Sequence, residues 1–204
     1  MTKIVELKEA DKAALDAVVR IHLQTFQGFF LTFMGKGFLK QLYRSYCDHP
    51  ESGLLVALNE ENVPVGFLAY SGALSDLYKY MIKRRLIPFG WYAAGAFFRK
   101  PKVFMRLVRA FLKPGESKRE EAYVELASIG VSPEMKGAGI GSQLIDALKE
   151  RVDLNRYAYI NLETDAVDNE AANGFYVKNG FVLTRTFATA EGRQMNEYRF
   201  GEKV

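Results

Sequence analysis

Apolar and polar residues alternate from Lys3 to Leu7, the period of a half-buried strand; from Ala10 to Thr25, Leu15, Val18, Val19, His22 and Leu23 recur at helical spacing. A second helix is expected from Lys36 to Cys47, with Phe38, Leu39, Leu42, Tyr43 and Tyr46 on one face, stopping before the turn-forming Asp48-His49-Pro50. The apolar runs Leu54 to Leu58 and Val63 to Tyr70 flank Asn59-Glu60-Glu61-Asn62 and read as a hairpin. After Ser71-Gly72 the pattern becomes basic, aromatic and helical, with breaks expected at Pro88, Gly90 and Pro101 and closure at Pro114-Gly115. Residues 72–120 therefore read as an insertion. A strand from Ala122 to Val131, a helix from Ile140 to Val152 and a strand from Ala158 to Leu162 make a βαβ unit. A helix from Asp168 to Lys178 should end at Asn179-Gly180, where glycine supplies the left-handed residue, before a closing antiparallel pair, Phe181 to Phe187 and Met195 to Phe200. The expected class is α+β, with residues 1–204 as one domain.

Composition narrows the chemistry. A chain of 204 residues, 49% hydrophobic, suffices for one well-buried core. Charges at Lys3, Glu6, Lys8, Glu9 and Asp11 leave no apolar stretch of signal-peptide length, so a cytoplasmic protein is expected. The single Cys47 permits no internal disulfide, and with only His22 and His49 a zinc site would need mostly carboxylates, so no metal is expected. The net charge of +4 is unevenly spread: Gly72 to Glu120 holds twelve basic residues and three acidic ones. Within it, Leu86 to Phe98 is uncharged but shorter than the ~20 residues that span a bilayer. Three roles stay open for this insertion: a basic lid over an anionic acceptor, an amphipathic surface through 79–113 that meets anionic lipid, or a helical interface between subunits of a homodimer. No nucleic-acid motif accompanies the charge, so nucleic acid is not an expected partner.

The most informative segment is Val131-Ser132-Pro133-Glu134-Met135-Lys136-Gly137-Ala138-Gly139-Ile140-Gly141-Ser142, a strand end passing through three alternating glycines into a helix. Glycines let backbone approach a phosphate, and the free N–H groups of a helix start point at it with the positive end of the macrodipole. The dinucleotide pattern GxGxxG fails because Ser142 stands where its last glycine would be, and GxxxxGK followed by Ser or Thr is absent, Gly35-Lys36 being followed by Gly37.

These residues resemble the GNAT family of N-acetyltransferases, whose central loop, [RQ]xxGxG/A, grips the pyrophosphate of CoA. Lys136 through Gly141 fills that loop, with Lys136 a cationic but non-planar substitute at its first position. Downstream, NEAANGFYVKNGF repeats the family's spacing of Asn169, Ala172, Tyr176 and Gly180-Phe181. The resemblance is strong from Ala122 to Phe200 and loose before that. It implies a mixed, mostly antiparallel sheet with two splayed central strands flanked by helices, and a helical insertion between the third and fourth strands. It implies acetyl-CoA as co-substrate, held by Ile129, Val131, Lys136, Gly137, Ala138, Gly139, Ile140, Gly141, Ser142, Asn169 and Tyr176.

Acetyl transfer to an amine needs a neutral nucleophile, a stabilised oxyanion and a proton for the departing thiolate. By resemblance Glu125 matches a carboxylate that takes the amine proton, against the plainer reading that it alternates outward into solvent. Tyr176 matches the tyrosine beside the CoA sulfur, against a plain core tyrosine, and a backbone N–H near Ile129 to Val131 would polarise the carbonyl. Glu163 and Asp165 are expected to be solvated or capping, His22 to be a core or boundary residue, His49 to lie on the surface, and Cys47 to be a buried structural thiol. The segment His22 to Tyr43 together with the insertion resembles bacterial members associated with surface-polysaccharide biosynthesis, which points to an amino-sugar acceptor. Two alternatives stand beside it: acetylation of a peptide or protein amine, and a non-catalytic acyl-CoA-binding module.

Overall fold

The computed structural model describes residues 2–8, 11–27, 30–99, 101, 121–189 and 192–202, with backbone alone at 30 and 93–99. Strands β1 (Lys3–Glu6), β2 (Ser52–Leu58), β3 (Pro64–Ser71), β4 (Val124–Val131), β5 (Ile160–Asp165), β6 (Val182–Ala188) and β7 (Gln194–Phe200) form one sheet in the order β1-β2-β3-β4-β5-β7-β6. Every neighbouring pair is antiparallel except β4 with β5.

Helix α1 (Lys12–Thr25) starts where Asp11 Oδ1 accepts the Ala13 N–H at 3.0 Å, a side-chain cap for a backbone donor that has no partner within the helix. A one-turn helix α2 (Phe30–Phe33), not evident in the sequence, leads to α3 (Lys36–Asp48). The β2–β3 hairpin is pinned by Asn59 Oδ1, which accepts from Glu61 N and Val63 N. Five consecutive buried positions in each of these strands show that both sheet faces are covered there. On one face Leu54, Val56, Phe67 and Ala69 pack with Leu15, Val18, Leu39 and Tyr43 of α1 and α3. On the other, Leu55, Leu68, Val124 and Leu162 meet Leu144, Ile145 and Leu148 of α5 (Ile140–Arg151) and Tyr176 of α6 (Glu170–Lys178).

Between β3 and β4 lies the helical insertion, described as α4 (Leu74–Arg99). The helix is interrupted at Arg85 (φ −131°, ψ 17°) and continues through Pro88 and Gly90. Proline lacks the N–H that would bond the carbonyl four residues back and its ring crowds that carbonyl, so the kink falls one turn ahead of the proline. Arg85 there donates to Gln41 Oε1 at 2.8 Å and pairs closely with Asp48, tying the kink to α3. Lys100 and residues 102–120, with the breaks expected around Pro101 and at Pro114-Gly115, lie outside the described residues.

Candidate active site

Strands β4 and β5 pair only at Val124 with Ile160 and Glu125 with Asn161. β4 then runs on along β3 as far as Val131 opposite Gly66, while β5 runs on along β7 as far as Asp165 opposite Met195. The two central strands therefore part, and their facing edges past Glu125 and Asn161 border a wedge into which a third extended chain can insert. The parting begins at a bulge: Leu126 sits opposite Tyr70 and Ser128 opposite Ala69, leaving Ala127 without a partner. Ile129 and Val131 lie on this free stretch. Thr25 Oγ1 at the end of α1 donates to the Val131 carbonyl at 3.2 Å, so α1 clamps the strand where the glycine loop begins.

The loop crosses one turn of 3-10 helix (Pro133–Met135) and enters α5 through Gly139, whose φ of 75° is left-handed and whose position has no side-chain cap. Gly137 is also left-handed at φ 87°, and a Cβ built at either glycine would meet nothing within 4 Å. Lys136, Gly137, Ala138 and Gly139 are exposed. An uncapped helix start with open space around its glycines presents backbone N–H donors that can receive an anion. At Gly141 a Cβ would come within 3.0 Å of Phe175 Cζ, so that glycine lets α5 and α6 approach each other.

Helix α6 carries Tyr176, which is buried. Its C-terminus is locked by Gly180 at φ 79°: Phe181 N donates to the Tyr176 carbonyl at 3.1 Å and Gly180 N to Val177 O at 2.9 Å. The Tyr176 ring packs against Phe175, Phe181 and Tyr198. Burial pushes its phenol up to about 12, so it holds its proton through the ordinary pH range. Asn169 donates to Thr164 Oγ1 at 2.8 Å and to Asp165 O at 3.1 Å. Asn173, not singled out in the sequence, donates to Asp165 O and Asn169 O and accepts from Asn196 and Tyr198, fixing the helix that carries Tyr176.

Glu125 faces the side of the sheet covered by α3 and α4. It is partly buried and accepts from Asn161 Nδ2 at 2.8 Å. Asn161 is 1% exposed and its Oδ1 is buried without a hydrogen-bond partner. Nothing in the local pattern of β5 marked this residue, since its partner lies 36 positions earlier on another strand. Two phenols on the covering helices are affected by the Glu125 charge: Tyr46 of α3 is raised well above its ordinary range by burial first, then by Tyr78, Tyr43 and Glu125, and Tyr78 of α4 is pushed up to about 12 by burial first, then by Glu125. Beside them runs a buried chain in which His22 Nδ1 and Tyr43 Oη are 2.6 Å apart, and Tyr43 Oη and Ser128 Oγ 3.4 Å. Burial lowers His22 to about 4, so it is neutral at pH 7.

The other sequence candidates fall elsewhere. Asp165 is held by Arg193 at 2.7 Å to each carboxylate oxygen, and Glu163 is exposed. His49 is only 8% exposed, a correction to its expected surface place: its Nδ1 lies 3.0 Å from Ser52 Oγ and its ring meets Tyr80 edge-on, because α4 packs over the turn. Burial and the neighbouring Asp48 push the Cys47 thiol up to about 12, so it is no nucleophile. A cavity of ≈ 430 Å³ lined by Glu121, Ala122, Tyr157 and Tyr159 lies at the start of β4, the opposite end from the glycine loop. Among the described residues no group of three or more His, Cys, Asp or Glu is placed to hold a metal ion.

With this geometry in hand, the sequence profile described as "Acetyltransferase (GNAT) family" matches residues 15–181. Among solved structures the chain is similar to a GNAT-family protein from Desulfovibrio desulfuricans, at 15% identity and TM-score 0.62 over 98% of both chains. It is also similar to the ribosomal-protein alanine N-acetyltransferase of Escherichia coli, at 13% identity and TM-score 0.59 over 100% of this chain and 96% of that one. A third is NAA60 of Arabidopsis thaliana, solved in complex with acetyl-CoA, at 12% identity and TM-score 0.59 over 98% of both chains. Compared with curated protein sequences, the chain has no match.

Proposed function

From the premise that this chain belongs to the acetyltransferase (GNAT) family, we propose that it is a single-domain N-acetyltransferase that moves acetyl from acetyl-CoA straight to a primary amine. The observation that carries the reading is the parting of β4 from β5 just after Glu125 and Asn161, with the uncapped glycine start of α5 at the end of the same wedge. The exposed loop with its two left-handed glycines fits a pyrophosphate. The backbone of Lys136, Gly137, Ala138, Gly139, Ile140, Gly141 and Ser142 would hold it, Lys136 adding a cation. The free edge of β4 at Ile129 and Val131 would pair with the pantetheine arm, and a backbone N–H of that edge would polarise the carbonyl. With its amide N–H groups committed to Thr164 and Asp165, Asn169 would offer its Oδ1.

Bound acetyl-CoA supplies the activated thioester; the chain supplies proton handling and position. In this reading Glu125 takes the proton of the attacking amine, directly or through one water, while Asn161 fixes the carboxylate. Tyr176, matched by resemblance to the acid beside the leaving sulfur, keeps its proton. A phenol near 12 would surrender its proton to a thiolate of pKa about 8.5 only uphill. Its contribution is therefore a hydrogen bond to sulfur that strengthens as charge grows there.

The proposed acceptor is an amino sugar and the proposed setting the cytoplasm, with a place in surface-polysaccharide biosynthesis; a peptide or protein amine is the second reading. Glu125 and Asn161, side by side on the acceptor face, suit an amine that brings N–H donors. Thiol release from acetyl-CoA, assayed against nucleotide-linked amino sugars, peptides and polyamines, tests this. Turnover on amino sugars, lost in Glu125→Gln, is the expected result. Turnover on peptides alone would move the acceptor to the second reading, and acetyl-CoA binding without turnover on any amine would leave an acyl-CoA-binding module.

A further inference from the structure

Helix α4 is apolar on both sides, and among the described residues only one side is covered. Inward, Leu77 and Met81 are buried, and Phe89 meets the Phe38 ring at 4.9 Å. Outward, Ile82 is 48% exposed, Leu86 62%, Ile87 85% and Trp91 78%, a continuous apolar run of large side chains on one element. A helix that is apolar all round is normally buried all round, so this outer stripe calls for a partner.

Its charge says which. From Lys79 to Tyr92 there are four basic residues and no acidic one. Arg85 is turned inward onto Gln41 and Asp48, and Lys79 pairs with Asp76. Lys83 and Arg84 stay exposed beside the apolar run. Lysine and arginine flanking Trp, Leu and Ile is the chemistry of the interface between an anionic headgroup layer and acyl chains. A second copy fits worse, because a two-fold contact would bury the Lys83 and Arg84 charges of both copies in one closed interface with no acidic residue from Lys79 to Tyr92 to pair them. None of the described helices is long and apolar enough to cross a membrane, so the contact is one of lying on the surface. We propose that the outer face of α4 from Ile82 to Trp91 docks on the surface of an anionic lipid bilayer. The inference is independent of the acetyl-transfer reading.

Trp91 is the only tryptophan in the chain, so its emission reports on this face alone. The full chain is mixed with vesicles of phosphatidylcholine containing phosphatidylglycerol, and with pure phosphatidylcholine vesicles. On the anionic vesicles the Trp91 emission should move to the blue and the protein should sediment with the lipid. Binding should weaken at least ~10-fold on pure phosphatidylcholine and fall steeply with added salt. Ile87→Asp and the double variant Lys83→Glu with Arg84→Glu change exposed side chains; each, with an unaltered circular dichroism spectrum, should lose at least ~10-fold in vesicle binding. No blue shift and no sedimentation of the wild-type chain with anionic vesicles would overturn the proposal. So would full binding by both variants, or a dimer in light scattering that Ile87→Asp converts to a monomer.

Discussion

Replacing Gly139 by alanine or glutamate separates what the glycine loop does for the fold from what it does for an anion. Gly139 holds φ 75°, ψ 4°, with open space where a Cβ would stand. Alanine therefore meets no atoms and costs only the left-handed backbone, about 1–2 kcal/mol. For a chain of this size that lowers Tm by about 2–8 °C. Glutamate bears the same backbone cost, but its carboxylate at a helix start regains about 0.3–1 kcal/mol from the dipole. Without ligand, Gly139→Glu should thus melt at or slightly above Gly139→Ala. Binding runs the other way. A carboxylate about 5 Å from a pyrophosphate charge opposes it by about 3 kcal/mol at an effective dielectric of 20, roughly 10²-fold in Kd. Gly139→Ala should keep acetyl-CoA binding within about tenfold. The assays are thermal melts of the free variants and calorimetric titration with acetyl-CoA at low salt. If Gly139→Glu is folded and binds as wild type does, the pyrophosphate is not on this loop.

Tyr176→Phe should leave the melting temperature and the acetyl-CoA Kd nearly unchanged while kcat falls about 10²-fold, and wild-type kcat would remove the hydroxyl from the mechanism. Asn161→Ala deletes the 2.8 Å donor to Glu125 together with an amide oxygen that has no partner, so kcat/KM should drop about tenfold with little loss of stability; unchanged kcat/KM with severe destabilisation would make Asn161 purely structural. His22 has a folded pKa of about 4, below the unfolded 6.5, so its contribution is intact above pH 6.5 and is lost as pH falls toward 4, about 3 kcal/mol in all. Denaturant unfolding of His22→Gln against wild type across that window should show the variant losing less, and parallel curves would contradict the assignment.

What the sequence made legible was local. The glycine run after Val131, the left-handed Gly180 and the Asn59 hairpin each depend on neighbours within a few residues, and the structure places all three as expected. What stayed hidden depends on distant partners. β5 was expected to stop at Leu162, yet it continues to Asp165 because β7 pairs with each of its polar residues, and tertiary pairing outweighs weak strand propensity. Asn161 reads as an oddity in an apolar strand until β4 sets Glu125 beside it. The burial of His49 likewise follows from α4 packing over the turn after α3. Of the proposed site, the loop and Tyr176 are readable as candidates from motif spacing, whereas the His22–Tyr43–Ser128 chain needs the fold to bring its members together.

The central claim is that the wedge between β4 and β5 and the helix start beyond it bind acetyl-CoA. Its most direct test is calorimetric titration of the wild-type protein with acetyl-CoA, repeated with free CoA present. The account predicts one saturable site per chain, for which CoA competes. Absence of binding at millimolar acetyl-CoA by a folded protein would contradict it.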